Sequence, residues 1–344
     1  MYSPQFTITN KILKNIGSIE AAKEVIENAP LVPYWEKKFQ EEAILRTTHY
    51  GTHIEGNELS LTQVQKVLEG EKIVARERDV QEVINYRDVI NFIGERKNAP
   101  IDEELIRDIH KIVVKKIMDV MSGDYRNKEV VIRNSITGEI SFRPPKSIEI
   151  PWQMESLIHF INSEKDMHPV LKAGIVHYEF VRIHPFLDGN GRTGRALSTM
   201  VLFKNDYDIR QFFSLEEHFD TNPEEYYTAL QNVEKQNGDL TAWLEYFTLC
   251  LAVELSKIKE KIENISIDSK LRQKLGGPVM LSERQLKIIE YIQKIGYFEN
   301  KTFLSLFPMV SEDTILREMQ DLVKKGIIKK QGVTKGVKYI MSQD

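Results

Sequence analysis

The sequence predicts a mainly α-helical protein with one β-hairpin and a small α+β unit at its C-terminal end. Apolar residues recur at helical spacing along most of the 344 residues. Runs of β-branched residues flanking a turn are confined to Glu129–Phe142 and the far C-terminal end. A polar stretch from Asp268 closes in Gly276-Gly277-Pro278, which marks a boundary before the final unit.

The elements follow in order. Helices are expected over Glu20–Glu27 and Tyr34–Tyr50, the second stopped or bent by Gly56-Asn57, then over Leu61–Glu71, Val80–Arg96 and Glu103–Met118, with Asp102 capping the last. Gly123-Asp124-Tyr125-Arg126 leads into the hairpin, where Val130, Val131, Ile132 and Ile136 flank a Thr137-Gly138 turn and Pro144-Pro145 closes the segment. Val170, Leu171, Ile175, Val176 and Phe180 make Pro169–Ile183 a buried helix, and a further helix is expected over Thr193–Lys204. Tyr226-Tyr227 lies on a helix opened by Asn222-Pro223, with Thr221 or Asn222 as cap. A long helix through Trp243 and Leu255 runs into the charged stretch Lys257–Glu263. The chain thus divides into an N-terminal helical segment over 1–100, a core over 101–265 and a last domain over 278–344.

In that last domain Ser282 caps a helix to Ile295, Asn300–Leu306 forms a short second helix, and Ser311 caps a third through Lys325. Strands over Ile327–Lys330 and Val337–Met341 then flank a Gly332–Gly336 loop, an order of elements similar to a winged helix. From Pro278 onward eleven Lys or Arg stand against eight Asp or Glu, so this part is +3 while the whole chain is −4. Lys329, Lys330, Lys335 and Lys338 suit phosphates, but Glu312 and Asp313 open the helix that would enter a DNA groove. Docking to protein is therefore favoured over docking to DNA.

The charge of −4 argues against a basic nucleic-acid coat or a polybasic membrane anchor. Met1–Gly17 lacks the basic-then-apolar pattern of a secretory leader, and no stretch approaches the ~18 uninterrupted apolar residues of a membrane span. A cytoplasmic location is expected. The single cysteine, Cys250, excludes an intrachain disulfide and lies in an apolar run that reads as packing.

The chemistry concentrates in His184-Pro185-Phe186-Leu187-Asp188-Gly189-Asn190-Gly191-Arg192-Thr193-Gly194-Arg195. Gly189, Asn190 and Gly191 can take positive φ and leave N–H groups uncovered at a helix start, where the helix dipole favours an anion. Arg192 and Arg195, one turn apart, can add charge-assisted bonds to phosphate oxygens. Asp188 suits Mg²⁺, which is held by one or two carboxylates plus substrate phosphates. His184, titratable near neutrality, suits a general base. A base beside a polyphosphate site points to attack of a hydroxyl on a nucleotide phosphate.

The stretch resembles the signature HxFx(D/E)GNGRxxR of the Fic (Fido-domain) family at every specified position. The resemblance implies a helical Fic core with a β-hairpin flap. It also implies transfer of AMP from ATP, with Mg²⁺, to a Tyr, Ser or Thr hydroxyl of a target protein or of the enzyme itself. His184 would be the base, Asp188 the metal ligand, Gly189 to Arg195 the nucleotide-binding stretch, and Arg195 the holder of the γ-phosphate. Phe186 would anchor the loop in the core. The hairpin would dock an extended target segment by strand addition. Tyr226 and Tyr227 would lie near adenine and ribose, although their spacing alone more often marks core packing. Docking through the last domain includes a homodimer, and removal of AMP is expected where Glu55 positions water.

Gly51-Thr52-His53-Ile54-Glu55-Gly56-Asn57 is similar to the inhibitory motif (S/T)xxxE(G/N) of many Fic proteins, except that Gly51 stands where the family has Ser or Thr. Glu55 is accordingly expected to pair with Arg195 and block the γ-phosphate; the bland alternative is a solvated helix end. Two other functions compete: transfer from a different nucleotide donor, and a DNA-binding regulator whose core senses nucleotide without turnover.

Overall fold

The computed structural model describes residues 2–342 except 30, 32, 119, 134–139, 266–280, 300–301, 309 and 333–336. The Thr137-Gly138 turn, the whole 268–278 boundary, the start of the helix placed at Asn300, and most of the 332–336 loop with Lys335 lie outside the described residues. The chain divides into two compact units, Met1–Ala29 with Trp35–Glu263, and Pro30–Tyr34 with Asn264–Asp344.

The larger unit is helical: α1 (Asn10–Asn28), α2 (Pro33–His53), α3 (Leu61–Leu68), α4 (Glu77–Glu95), α5 (Glu103–Val113), α6 (Ile150–Ser163), α7 (Pro169–Ile183), α8 (Asn190–Lys204), α9 (Leu215–Thr221), α10 (Pro223–Lys235) and α11 (Thr241–Ile265). Its local chemistry explains its boundaries. Asp102 accepts from the Leu105 N–H at 2.9 Å, Ser60 and Gln63 form a capping box, and Asn222 caps α10 with Pro223 at its first position. β1 (Ile132–Arg133) and β2 (Ile140–Phe142) pair antiparallel with an irregular register.

The centre is α8, buried almost throughout from Asn190 to Phe203 and packed by α4, α5 and α7. A helix buried on nearly every side leaves its polar side chains little water. Two arginines on it are therefore exceptional and must be paired.

Several boundaries differ from the sequence reading. α8 starts at Asn190, three residues before Thr193, because Gly189 at φ 74 supplies the turn; Asn190 and Gly191 are then helical and do not take positive φ. α2 continues to His53 before Gly56, at φ 93, ends the turn that follows it. α5 stops at Val113, and α1 is longer than Glu20–Glu27, starting at a Thr9 cap.

In the second unit, α12 (Glu283–Ile295) opens on a Ser282–Gln285 capping box and ends at Gly296. α13 (Phe303–Leu306), α14 (Glu312–Lys324) and a sheet of β3 (Phe298–Glu299), β4 (Ile328–Gln331) and β5 (Lys338–Met341) in the order β3-β5-β4 complete it. Ile288, Ile292, Phe298, Phe303, Ile315 and Leu322 form its core. β3 was not foreseen: two residues carry no alternation, and only pairing with β5 makes them a strand.

Candidate active site

α7 ends at His184, a non-glycine residue in the left-handed region (φ 51, ψ 60) whose N–H donates to the Phe180 carbonyl at 3.0 Å. The reversal sends Phe186 into the core, where it stacks on His110 with ring centroids 3.7 Å apart. His110 is itself fixed. The Gly123 N–H donates to its Nδ1 at 3.0 Å, so Nε2 carries the proton and donates to the Asp188 carbonyl at 3.0 Å. Asn190 closes the loop, its amide bonding the N–H and carbonyl of Phe186 at 2.9 Å each. Asp188 lies at the mouth of α8, its Oδ1 accepting from the Gly189 N–H at 2.6 Å.

Arg126 ties the hairpin base to this loop. Its Nε donates to the His184 carbonyl at 2.8 Å, Nη1 to the Lys128 carbonyl at 3.0 Å and Nη2 to the Pro145 carbonyl at 2.6 Å; its N–H donates to the Pro185 carbonyl at 2.8 Å.

Both motif arginines are buried, Arg192 at 3% and Arg195 at 2% exposure. Arg192 Nη1 lies 3.4 Å from Glu82 and Nη2 lies 3.5 Å from Asp188, and its Nε and Nη1 make no hydrogen bond. Arg195 Nη2 donates to Glu55 Oε1 at 2.9 Å and to the Gly51 carbonyl at 2.8 Å. A Cβ built on Gly191 would fall 2.1 Å from Glu55 Oε1. The Glu55 carboxylate therefore lies over the first turn of α8, where the helix dipole draws an anion. Asn57, two residues on, donates to Glu82 Oε2 at 3.1 Å and to the Asp79 carbonyl at 3.0 Å, fastening this turn to α4.

Burial pushes the His184 ring down to about 4; the Val181 carbonyl, Glu55 and Asp188 oppose that shift and Arg126 adds to it. The ring is neutral at pH 7, the form a base requires. Arg195 is disfavoured as a charge by burial, yet Glu55, Tyr86, Tyr226 and Glu216 hold its pKa well above normal.

His184, Asp188, Gly189 to Gly191, Arg192, Arg195 and Glu55 thus converge at the start of α8. Thr193 is fully buried and Gly194 lies against Phe180 and Val181, so both pack the α7–α8 pair. Tyr226 is buried, donating to or accepting from His177 Nε2 at 2.9 Å within a cluster including Phe219 and Trp243. Tyr227 is 43% exposed and donates to the Ile54 carbonyl at 3.4 Å, beside Glu55. His110, Arg126, Glu82 and the Gly51 carbonyl were missed; they come from distant segments, and nothing local marks them.

Among the described residues no group of three His, Cys, Asp or Glu is placed to hold a metal. Asp188 is a single, partly exposed carboxylate whose Oδ2 lies 3.3 Å from Arg78. Such a donor set fits Mg²⁺ only when phosphates complete its coordination.

The buried neutral histidines have a consequence for stability. Burial lowers His177 to about 3 and His110 to about 4. Their folded values lie below the unfolded value near 6.5, so the stability they contribute is present above pH 6.5 and is lost as pH falls toward 4. The pair should cost at most about 3 kcal/mol for each pH unit in that window. A thermal melt series from pH 7.5 to 5.0 should show Tm falling once pH passes below 6.5, and a flat Tm would contradict this.

The class defined by this fold and site is an α-helical domain with a His-bearing loop opening onto an arginine-lined helix N-terminus. Residues 100–202 match the Fic/DOC family model, and the chain carries a Fic/DOC domain. Protein adenylyltransferase Fic of Drosophila grimshawi is 28% identical over 181 residues, half of this chain and 35% of that protein. Its counterpart in Culex quinquefasciatus is 27% identical over 201 residues, 56% and 39% of the two chains. The chain spans little more than a third of the length of these curated relatives. A Fic family protein from Desulfovibrio desulfuricans G20 superposes with a TM-score of 0.70 at 21% identity, covering 100% of this chain and 99% of that one. A Fic domain containing signaling protein from Bacteroides thetaiotaomicron gives 0.62 at 24% identity over 74% and 97%.

Proposed function

We propose that the chain is a protein adenylyltransferase that moves AMP from ATP to a protein hydroxyl and is held back by Glu55. The observation that carries the reading is the buried Arg195 bonded to a carboxylate lying over the first turn of α8. A site that draws in the chain's own anion is built for one, and ATP supplies three phosphates in a row.

In this reading the neutral His184 takes the hydroxyl proton as the oxygen attacks the α-phosphorus; the new O–P bond forms as the bond to pyrophosphate breaks, and the proton rests on the imidazole. Arg192, with two unbonded donors, and the N–H groups opening α8 hold the phosphates. Asp188 would hold Mg²⁺ against them, where the ion would neutralise phosphate charge. Tyr227 would border the nucleoside. The hairpin would present its backbone to an extended segment of the target, which includes the chain itself. The relatives named above as protein adenylyltransferases support the reading.

We assign the second unit, with its helices and antiparallel strands, to a winged helix that serves protein contact, including contact with a second copy of this chain. Glu312 and Asp313 in the first turn of α14 would repel DNA phosphates. The working division remains 1–100, 101–265 and 278–344. Among the described residues no helix is long and apolar enough to cross a membrane, which accords with the cytoplasmic location assigned here.

The test is incubation of the protein with Mg²⁺ and ATP labelled on either the α- or the γ-phosphate. Label from the α-position, with an added mass of AMP, should appear on protein; γ-label should not. Transfer of γ-label, or transfer only from another nucleotide, would replace this reading with a different donor chemistry.

A further inference from the structure

Arg78 stands in the first turn of α4, far along the chain from His184–Arg195, yet it reaches the same site. Its Nη2 donates to Asp188 Oδ2 at 3.3 Å and its Nε to Glu82 Oε1 at 3.1 Å. Arg192 faces the same two carboxylates from α8, with Nη1 3.4 Å from Glu82 Oε1 and Nη2 3.5 Å from Asp188 Oδ1. The remaining donors fall on the inner oxygens: Glu82 Oε2 accepts from Asn57 at 3.1 Å and Asp188 Oδ1 from the Gly189 N–H at 2.6 Å. Asp188 Oδ2 is therefore the oxygen open to a cation, and Arg78 is what covers it.

The two arginines differ in freedom. The Arg192 side chain is 3% exposed and cannot move without opening the core, whereas that of Arg78 is 61% exposed. Its pair with Asp188 lies at the surface, where such a contact holds weakly and parts at little cost. A Mg²⁺ ion sits about 2 Å from a carboxylate ligand, so a guanidinium left on Oδ2 would face it as a like charge at close range. The bond from Nε to Glu82, a buried carboxylate held in turn by Asn57, gives Arg78 a pivot. Swinging about it carries Nη2 off Asp188 without taking the guanidinium away from Arg192. Charge favours the swing. Before nucleotide arrives, two guanidiniums balance two carboxylates; a divalent cation on Asp188 leaves the cluster positive, which phosphates offset, and a guanidinium fork matches phosphate oxygens.

We propose that Arg78 is a third phosphate-binding arginine of this site, covering Asp188 before the nucleotide binds and turning onto the polyphosphate once Asp188 takes Mg²⁺. The inference rests on the adenylyltransferase reading and on Asp188 as the metal ligand.

The experiment uses the full chain carrying Glu55→Gly and His184→Ala, which removes the brake and prevents turnover. Calorimetry with Mg²⁺ gives Kd for ATP on this parent and after adding Arg78→Gln or Arg78→Lys, with a melt on each. Arg78→Gln should weaken ATP about tenfold, the effect of one hydrogen bond to a charged group, and Arg78→Lys, which keeps the charge, should recover most of the loss. A shield alone predicts the reverse, since uncovering Asp188 would then tighten ATP. With Asp188→Ala added and a chelator in place of Mg²⁺, Arg78→Gln should still weaken ATP, because the contact is with phosphate. ATP binding unchanged or tightened by Arg78→Gln in the folded protein, or a loss that disappears with Asp188→Ala, would overturn the proposal, leaving Arg78 a surface partner of Asp188. A parent that does not bind ATP would instead remove the triphosphate reading, and this inference with it.

Discussion

His184→Ala is expected to lower AMP transfer by about 10²- to 10⁴-fold while ATP binding stays within about twofold of the parent, since the base acts on the hydroxyl and not on the donor. The loop should survive the change: its conformation rests on the His184 N–H and carbonyl, on Phe186 against His110, and on the Asn190 amide, none of which needs the imidazole. The measurement is single-turnover transfer of α-label with calorimetry on the same preparation. Full transfer by His184→Ala would mean that another group or water takes the proton. The pH profile adds a second check. With the free ring lowered to about 4 by burial, the acid limb of kcat/KM should fall well below the ordinary histidine value near 6.5.

Glu55→Gly is expected to act in the opposite direction, raising transfer about 10- to 100-fold, the worth of one charge-assisted hydrogen bond that the γ-phosphate no longer has to displace. The gain should appear chiefly as a lower apparent Kd for ATP. It should be incomplete, because Arg195 Nη2 keeps its bond to the Gly51 carbonyl at 2.8 Å. Adding His184→Ala should return transfer to background. Should Glu55→Gly transfer no faster than the parent, the carboxylate over Gly191 is not what limits the reaction, and its pairing with Arg195 is structural.

The helical character, the α7–loop–α8 stretch and the cap residues Asp102, Ser282 and Asn222 were legible because each is decided within a few residues of chain. Glu55 was legible only through a motif, since nothing in Ile54-Glu55-Gly56 says where its carboxylate points. What stayed hidden depends on encounters across long separations. His110 meets Asp188, 78 residues on, and Tyr86 meets Glu216 across 130. Gly51 looked like a defect in a pattern when read along the chain. In three dimensions a Cβ there would fall 2.3 Å from Cε1 of Tyr86, so the ring on α4 fills the space a Ser or Thr would need. The start of α8 was misplaced for a smaller reason: glycines discourage a helix on propensity, whereas here Gly189 supplies the left-handed turn that lets the helix begin at the next residue.

The Arg126 contacts have a consequence for how such a protein can diversify. Its three side-chain nitrogens end on carbonyls at the hairpin base and the end of α7, so the hairpin is riveted to the His184 loop at its root. A change of sequence that leaves the Arg126 bonds in place leaves this support of the histidine in place as well. Under the proposed docking of a target on the hairpin, a new partner can then be met without altering the mount of the histidine.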